Sequence, residues 1–380
     1  MKKSLLVTLY FPPLRGGVSK FLWNVCSQLP PDKIVVLTEP SKFEPLADWK
    51  IYRRRVLSES VFVWPRWIFL FRKLKAIIER EGIQMIHVGQ ILPIGTVALI
   101  LKKRYKIPYL VYVYGQDLVI MRRSFRKMYL IKKILSNASA VITNSSHTQA
   151  RAITLGSDPR RTITVFPSPE GLVDTYVDQQ YLDYIVHKHN FYGKKIILTV
   201  GNLVQRKGHD IVLKILPSII KKIPNLLYVI VGDGPYRTIL EELIKKNHLN
   251  EYVKIFDRVS DEELPYFYRC SSVFVMPSRA LKNSSGEVID VEGFGMVYLE
   301  ANLFGKPVIG GKTGGVSDAI KDGQTGLLIN PEDPHELSEA ILKILSDKEY
   351  AHKLGRQGKE HAQNTYVWER EVKKLNKVLA

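Results

Sequence analysis

The 380-residue sequence is nearly devoid of cysteine: Cys26 and Cys270 stand 244 positions apart, with no second partner near either. That excludes a disulfide framework and a cysteine-based zinc site, and it suits a reducing compartment. No Asp-x-Asp motif stands in a loop and no His/Cys ligands cluster, so no metal is expected. Lys2 and Lys3 precede an apolar run, but Tyr10-Phe11-Pro12-Pro13 ends it without a small-residue cleavage site, so no secretory signal is read. Long apolar runs are also scarce. The best candidate, Ile83 to Leu101, contains Gln84, His87, Gln90 and Pro93, and it divides better into a short strand and a helix than it spans a bilayer. Acid is rare in one half only. Residues 1–170 hold 28 basic and 10 acidic side chains, whereas the remainder holds 28 and 27. The net charge of +19 is thus concentrated in the first half. A one-sided field argues for an anionic partner: nucleic acid, an anionic membrane surface or a phosphorylated substrate.

The composition present, 45% hydrophobic and 24% charged, is that of a globular protein and excludes a disordered or collagen-like chain. Short apolar strands alternate with amphipathic helices. Ser4–Leu9, Ile34–Thr38, Met85–Val88, Tyr109–Val113 and Ala140–Thr143 read as strands, with helices at Ser19–Leu29, Trp67–Glu81, Ile94–Arg104 and Phe125–Ser136. A second series follows at Lys195–Val200, Leu227–Val231, Lys254–Phe256, Val273–Met276 and Pro307–Ile309. Such alternation implies right-handed βαβ units and parallel sheets covered on both faces. The expected fold class is α/β, as two Rossmann-like domains facing across a cleft, joined around Pro167–Gly193. Ligands in such sheets bind at the carboxyl ends of the strands.

The strongest local signal is Asp290-Val291-Glu292-Gly293-Phe294-Gly295-Met296-Val297-Tyr298-Leu299-Glu300-Ala301. Glycines let a backbone approach a ligand and accept positive φ. The apolar run after Gly295 reads as a helix whose N-terminus offers free N–H groups to an anion. Glu300, about one turn beyond Met296, can face the same ligand. Taken alone, this would be a helix cap and a solvent-facing glutamate. Three further segments place glycine or a basic pair after a strand: Gly201 to Gly208 with Arg206-Lys207, Val231-Gly232-Asp233-Gly234-Pro235, and Phe11 to Gly17. Four such sites in one chain are specific.

On these motifs the sequence resembles the family-4 retaining glycosyltransferases of GT-B fold. The resemblance runs over nearly the whole chain and is strongest from Ile196 to Pro334, including Pro277-Ser278-Arg279, Gly314-Gly315 and Thr325-Gly326-Leu327-Leu328. Asp290 to Ala301 is most similar to mannosyltransferases acting on phosphatidylinositol lipids. The resemblance implies that Glu300 holds ribose hydroxyls, that Glu292 contacts the donor sugar, and that the backbone of Gly293, Phe294, Gly295, Met296 and Val297 meets sugar and phosphate. It implies that Lys207 neutralises the departing diphosphate, that Arg258 and Val259 lie beside the base, and that Gly16 and Gly17 close over the diphosphate. Asn202 stands where the family commonly has an arginine, and Arg206 is expected to supply that charge. Tyr114 stands where a histidine is common; Tyr114, Gln116 and Asp117 are placed on the acceptor side. The usual Pro-Asn-Gly-Val-Asp near the domain junction reads Pro167-Ser168-Pro169-Glu170-Gly171. Retention of configuration without a metal or other cofactor is also implied, by front-face attack rather than through paired carboxylates.

Residues 1–170 with 365–380 are expected to bind acceptor, and 171–364 a GDP- or UDP-sugar, GDP-mannose first. The segment Thr365-Tyr366-Val367-Trp368-Glu369 resembles the point where a last helix crosses back to the first domain. Trp67 to Lys75 mixes aromatics with cations as membrane-surface helices do, and Lys102-Lys103-Arg104 and Arg122 to Lys133 add to that charge. The expectation is a cytoplasmic enzyme, peripheral on the inner face of the membrane, acting on an anionic lipid or lipid-linked acceptor. A soluble sugar or sugar-phosphate acceptor is the alternative. A nucleic-acid or membrane-binding protein with a degenerate site is the alternative of another class; nucleic acid is disfavoured because no recognition motif appears and the second half lacks the charge.

Overall fold

The computed structural model describes every residue except 15, 44–45, 58–64, 66, 120–123, 170–177, 258 and 380. Arg258, Arg122 and the Glu170-Gly171 end of the joining segment therefore lie outside the described residues. The chain divides into two units, Met1–Pro167 with Trp368–Ala380, and Ser168–Val367.

In the first unit seven parallel strands form one sheet: β1 (Ser4–Val7), β2 (Ile34–Thr38), β3 (Lys50–Arg53), β4 (Met85–Val88), β5 (Tyr109–Val113), β6 (Ala140–Thr143) and β7 (Thr162–Thr164). Their order is β3-β2-β1-β4-β5-β6-β7. The inner strands β1, β2, β4, β5 and β6 are buried at every position, as a sheet covered on both faces requires. One face packs Leu70 and Leu74 of the helix Ile68–Glu81, Val97 and Leu101 of Ile94–Tyr105, and Ile131 and Ile134 of Phe125–Asn137. The other face packs Phe21 and Leu22 of the helix Gly17–Ser27 against the closing helix, Trp368–Leu379. Trp368 meets Phe21 edge-on at 5.4 Å. The buried Glu371 carboxylate accepts the Phe166 N–H at 2.8 Å and pairs with the Lys374 ammonium at 2.6 Å. A buried carboxylate is tolerated only when so paired, which fixes the rotation of this helix. The end of the chain thus completes the first unit.

The second unit repeats the plan with β8 (Lys195–Val200), β9 (Leu226–Val231), β10 (Val253–Phe256), β11 (Val273–Met276), β14 (Val308–Gly311) and β15 (Leu327–Ile329), ordered β10-β9-β8-β11-β14-β15. Between β11 and β14 lies a small antiparallel hairpin, β12 (Leu281–Lys282) and β13 (Val288–Asp290). Strand order reverses between β1 and β4 in one sheet and between β8 and β11 in the other. Those are the switch points where loops part and ligands bind in open α/β sheets.

The differences from the sequence reading are local. Residues 179–188, given no element in the sequence reading, form a helix, Gln179–Lys188, capped by the Asp178 side chain and packed through Tyr181 on Tyr266 at 4.8 Å. Strand β1 stops at Val7 because Leu9 turns its N–H to the Gln90 side chain at 2.8 Å. The segment 83–101 is β4 and the start of a helix. Among the described residues, no helix is long and apolar enough to cross a membrane.

Candidate active site

At the switch point of the second unit, the loop after β8 makes a turn, Gln205–Lys207, that ends on Gly208 at φ 76°. A Cβ at Gly208 would stand 2.3 Å from the Pro277 carbonyl, so glycine alone lets this loop lie against the one after β11. The Arg279 N–H bonds the Arg206 carbonyl at 2.8 Å, and the Arg279 guanidinium pairs with Asp210 at 2.8 Å. The turn after β9 joins them: Leu203 accepts from the Tyr236 N–H and donates to the Asp233 carbonyl, each at 2.9 Å. Two of the segments that read as separate weak signals, after β8 and β9, thus form one hydrogen-bonded surface with the loop after β11.

The charges sit on that surface. Arg206 and Lys207 both reach Glu292 Oε2, Lys207 Nζ at 2.8 Å, while the Ser278 hydroxyl donates to the same oxygen at 3.2 Å. Arg206 Nε also lies 3.2 Å from Asp290 Oδ1. Burial disfavours the Glu292 charge, but the Lys207 and Arg206 charges outweigh it and hold the carboxyl at about 2. Burial likewise pulls Lys207 below the ordinary lysine range, against the support of Glu292. The result is a buried, charged cluster with two cations and two carboxylates at the carboxyl ends of the strands. Perturbed groups of this kind gather at functional sites.

Directly after Glu292 the backbone runs through Gly293, Phe294 and Gly295 into the helix Met296–Leu303. Gly295 caps it at φ 95°, and the Tyr298 ring fills the space where its Cβ would be, 2.5 Å away. Phe294 is buried edge-on to Tyr366 at 5.7 Å. Met296 and Val297, half-buried, begin the helix. Glu300 lies on the same helix, buried, and accepts the Tyr268 hydroxyl at 2.8 Å on Oε2. Glu292 and Glu300 therefore occupy different surroundings, one among cations and one beside a phenol. Val259 is half-buried in the loop after β10.

The remaining expected residues belong to the first unit. Gly16 caps the helix Gly17–Ser27 at φ 142°, and a Cβ on Gly16 or Gly17 would meet no atom within 4 Å. Packing does not demand glycine there; backbone conformation does so at Gly16. After β5, the Tyr114 N–H donates to Asp117 Oδ1 at 3.1 Å, and the Tyr114 ring meets Phe21 edge-on at 5.9 Å. Burial raises the Asp117 carboxyl to about 6, against the pull of backbone N–H groups at Tyr114, Asp117, Gly115 and Leu118. Gln116 is exposed.

Sequence reasoning gave no role to Asp290, Ser278, Tyr268 or the Arg279–Asp210 pair. Asp290 and Ser278 lay inside quoted motifs, but only the fold turns them onto Arg206 and Glu292. Nothing in the sequence marks Tyr268 as the partner of Glu300. Among the described residues, no group of three or more His, Cys, Asp or Glu side chains could hold a metal.

Residues 15–169 match the family described as Glycosyltransferase Family 4, and residues 185–361 the family described as Glycosyl transferases group 1. An uncharacterized glycosyltransferase of Methanocaldococcus jannaschii is 28% identical over 99% of this chain and 97% of its own. A GDP-mannose-dependent alpha-(1-6)-phosphatidylinositol monomannoside mannosyltransferase of Mycolicibacterium smegmatis is 27% identical over 99% of this chain and 98% of its own. Among solved structures, Anabaena HepE in complex with UDP and glucose superposes with a TM-score of 0.81 at 18% identity, covering 100% of this chain and 99% of that one. With two Rossmann-like units, the charged cluster at a switch point and matches over both halves, the chain belongs to the family-4 glycosyltransferases of GT-B fold, as a nucleotide-sugar-dependent hexosyltransferase.

Proposed function

We propose that the chain transfers mannose from GDP-mannose, with retention of configuration, to a phospholipid or lipid-linked acceptor. The donor would bind the second unit and the acceptor the first, on the inner face of a membrane to which the protein attaches peripherally. The observation that carries the reading is the Lys207–Glu292–Arg206 cluster, set immediately before the glycine-capped helix that bears Glu300. In this assignment Glu300 accepts hydrogen bonds from ribose hydroxyls, and Glu292 holds hydroxyls of the donor sugar. The N–H groups from Gly293 to Val297 meet sugar and phosphate. Lys207 supplies positive charge to the leaving diphosphate, where charge grows in the transition state. Arg206 is shared between Glu292 and Asp290, so it orients Glu292 as well as adding charge. Val259 and Arg258 would border the base. These cations take the place of a divalent ion, so transfer is expected to continue in a chelator. The acceptor hydroxyl would attack on the face the diphosphate leaves, passing its proton to a phosphate oxygen.

The choice of GDP-mannose and of a lipid rests on the mycobacterial relative, which is similar over its full length. Membrane attachment is supported by exposed apolar residues beside cations. Ile68 and Phe69 are 47% and 45% exposed at the start of one helix, and Phe125 is 97% exposed at the start of another. Both helices pack on Ile94–Tyr105 and run antiparallel to the strands, so these ends lie at the carboxyl edge of the first sheet. The test is incubation with radiolabelled GDP-mannose and vesicles containing phosphatidylinositol. Label entering the lipid phase is the expected result. Transfer from UDP-glucose alone, or only to a soluble sugar phosphate, would overturn the donor or the acceptor assignment respectively.

A further inference from the structure

The first unit has a charged concavity of its own, at the end of its sheet opposite the loops described above. It is a cavity of about 610 Å³ lined by Lys2, Arg160, Arg161, Lys374 and Lys377, over a floor that includes Met85, Ile163 and Val378. The topology explains how these residues meet. Lys2 stands just before β1, Met85 opens β4, Arg160 and Arg161 form the turn into β7, and Lys374 to Val378 lie on the closing helix. All belong to the amino ends of parallel strands or to the helix packed across them. Strands of four to five residues separate this end from the carboxyl end, a distance of roughly 15 Å. One small ligand cannot reach both ends.

The cavity is lined by five cations and by no carboxylate. Two acids stand behind it. Asp158 pairs with Arg161 at 3.1 Å and with Arg160 at 3.6 Å, and Glu371 pairs with Lys374 at 2.6 Å. Lys2 and Lys377 have no acidic partner among the described residues. The positive charge of the cavity is therefore only part-neutralised, and Arg161 extends it inward, where it helps burial hold Lys102 below the ordinary lysine range. Concentrated like charge destabilises a fold unless something answers it. The volume is within the range of small-molecule sites, about 300–1,000 Å³. Guanidinium and ammonium groups above an apolar floor match phosphate oxygens carried on a partly apolar body.

We propose that this cavity is a second binding site, for a phosphate-bearing organic anion, independent of the nucleotide-sugar site. Arg160 and Arg161 present planar donors to the phosphate, and Lys2 and Lys377 supply the unanswered charge. Met85, Ile163 and Val378 take the apolar part. The same chemistry could come from a lipid headgroup or from a soluble phosphate, and the two are separable by experiment.

Methionine-methyl NMR of the whole protein reads the site directly, because Met85 lines it and the chain has only 6 methionines. Met276 lies near Lys207 and serves as the reporter for the other site. The Met85 resonance is assigned by Met85→Leu. Pyrophosphate and short-chain dihexanoyl phosphatidate are titrated in turn. The expected result is a saturable shift at Met85 in the wild type with either probe. Lys2→Gln with Lys377→Gln, which breaks no side-chain pair, should weaken that binding about tenfold or more and leave the Met276 response unchanged. Tighter binding of the phosphatidate identifies a lipid source, and equal or tighter binding of pyrophosphate a soluble one. A Met85 resonance that ignores both probes at millimolar concentration, or responds equally in the double variant, overturns the proposal.

Discussion

Glu300 and Lys207 carry most of the proposed chemistry, and each allows a separate test. Glu300→Ala removes a buried carboxylate that accepts the Tyr268 hydroxyl. If that carboxylate holds ribose, GDP binding measured by calorimetry on the folded variant should weaken by about 1.5–3 kcal/mol. Undiminished GDP affinity would remove Glu300 from the site. Lys207→Ala should lower kcat about a hundredfold while changing donor affinity much less, since its charge matters most as the diphosphate departs. The pH profile gives a second reading. Lys207 is held below the ordinary lysine range by burial, so kcat/KM should begin to fall at a lower pH than an unperturbed lysine, about 10.4, would allow. Lys207→Arg should carry that alkaline limb upward, and a limb that does not move would assign it to another group. The sequence marks these two residues by their place beside glycine-rich turns, and their roles come from the family resemblance. Arg206 was legible only as charge; that it spans Asp290 and Glu292 depends on the hairpin β12–β13, which no sequence pattern announced.

The elements that sequence periodicity brings out are those buried on both faces. The strands β2, β4, β5, β6, β8 and β11 occupy the expected residues because an apolar run four to six long has only one way to be covered. The missed strands are three of the four outermost ones and the hairpin; the fourth, β10, was expected at Lys254–Phe256. β3 is Lys-Ile-Tyr-Arg with no buried residue, and β7 and β15 are three residues long at sheet edges. Edge strands pair on one side only, so their composition says little. The helix Ile68–Glu81 is where an expected element changes meaning. Its cations are not all free for a membrane: Lys73 Nζ donates to the Arg55 carbonyl at 2.6 Å, and Lys75 pairs with Glu79 at 3.6 Å. The exposed face is better probed by Phe69→Asp with Arg72→Glu, since both residues are exposed. Losing an inserted aromatic, about 1.5–3 kcal/mol, and reversing a charge worth about 1 kcal/mol should weaken sedimentation with anionic vesicles more than tenfold. Nucleotide binding should be unchanged. Vesicle binding equal to wild type at low salt would end the assignment of this helix to the membrane.

At the scale of the whole molecule, the two-unit plan was readable because each half repeats the strand–helix alternation, whereas the ownership of the last helix rests on the buried Trp368 and Glu371. Among the described residues, each unit also encloses one almost fully buried histidine, and burial lowers the less buried His189 and His361 of the second unit as well. His87 in β4 lies 3.2 Å from the Tyr112 hydroxyl, and His209 in the second unit 3.4 Å from that of Tyr228. Burial lowers His87 to about 3 and His209 to about 4, from 6.5. The unfolded chain therefore takes up these protons first. Their stability is complete above pH 6.5 and is lost as pH falls toward 4, at up to about 1.4 kcal/mol per pH unit for each histidine. Glu292, lowered to about 2, keeps its contribution above pH 4.5 and loses it only below, so it does not share this window. Asp117 works in the opposite direction, because its folded carboxyl is raised to about 6 and acid favours the fold there. That gain acts in the first unit only, where Asp117 lies. The second unit has no such offset from Asp117. Lowering the pH from about 7 to about 5 should thus cost the second unit roughly 2 kcal/mol, several degrees of melting temperature. His209→Gln cannot take up the proton in either state, so the same pH step should cost this variant much less. Calorimetric melts of both proteins at the two pH values decide it: an acid loss of equal size in wild type and variant would mean that His209 is not the group that titrates.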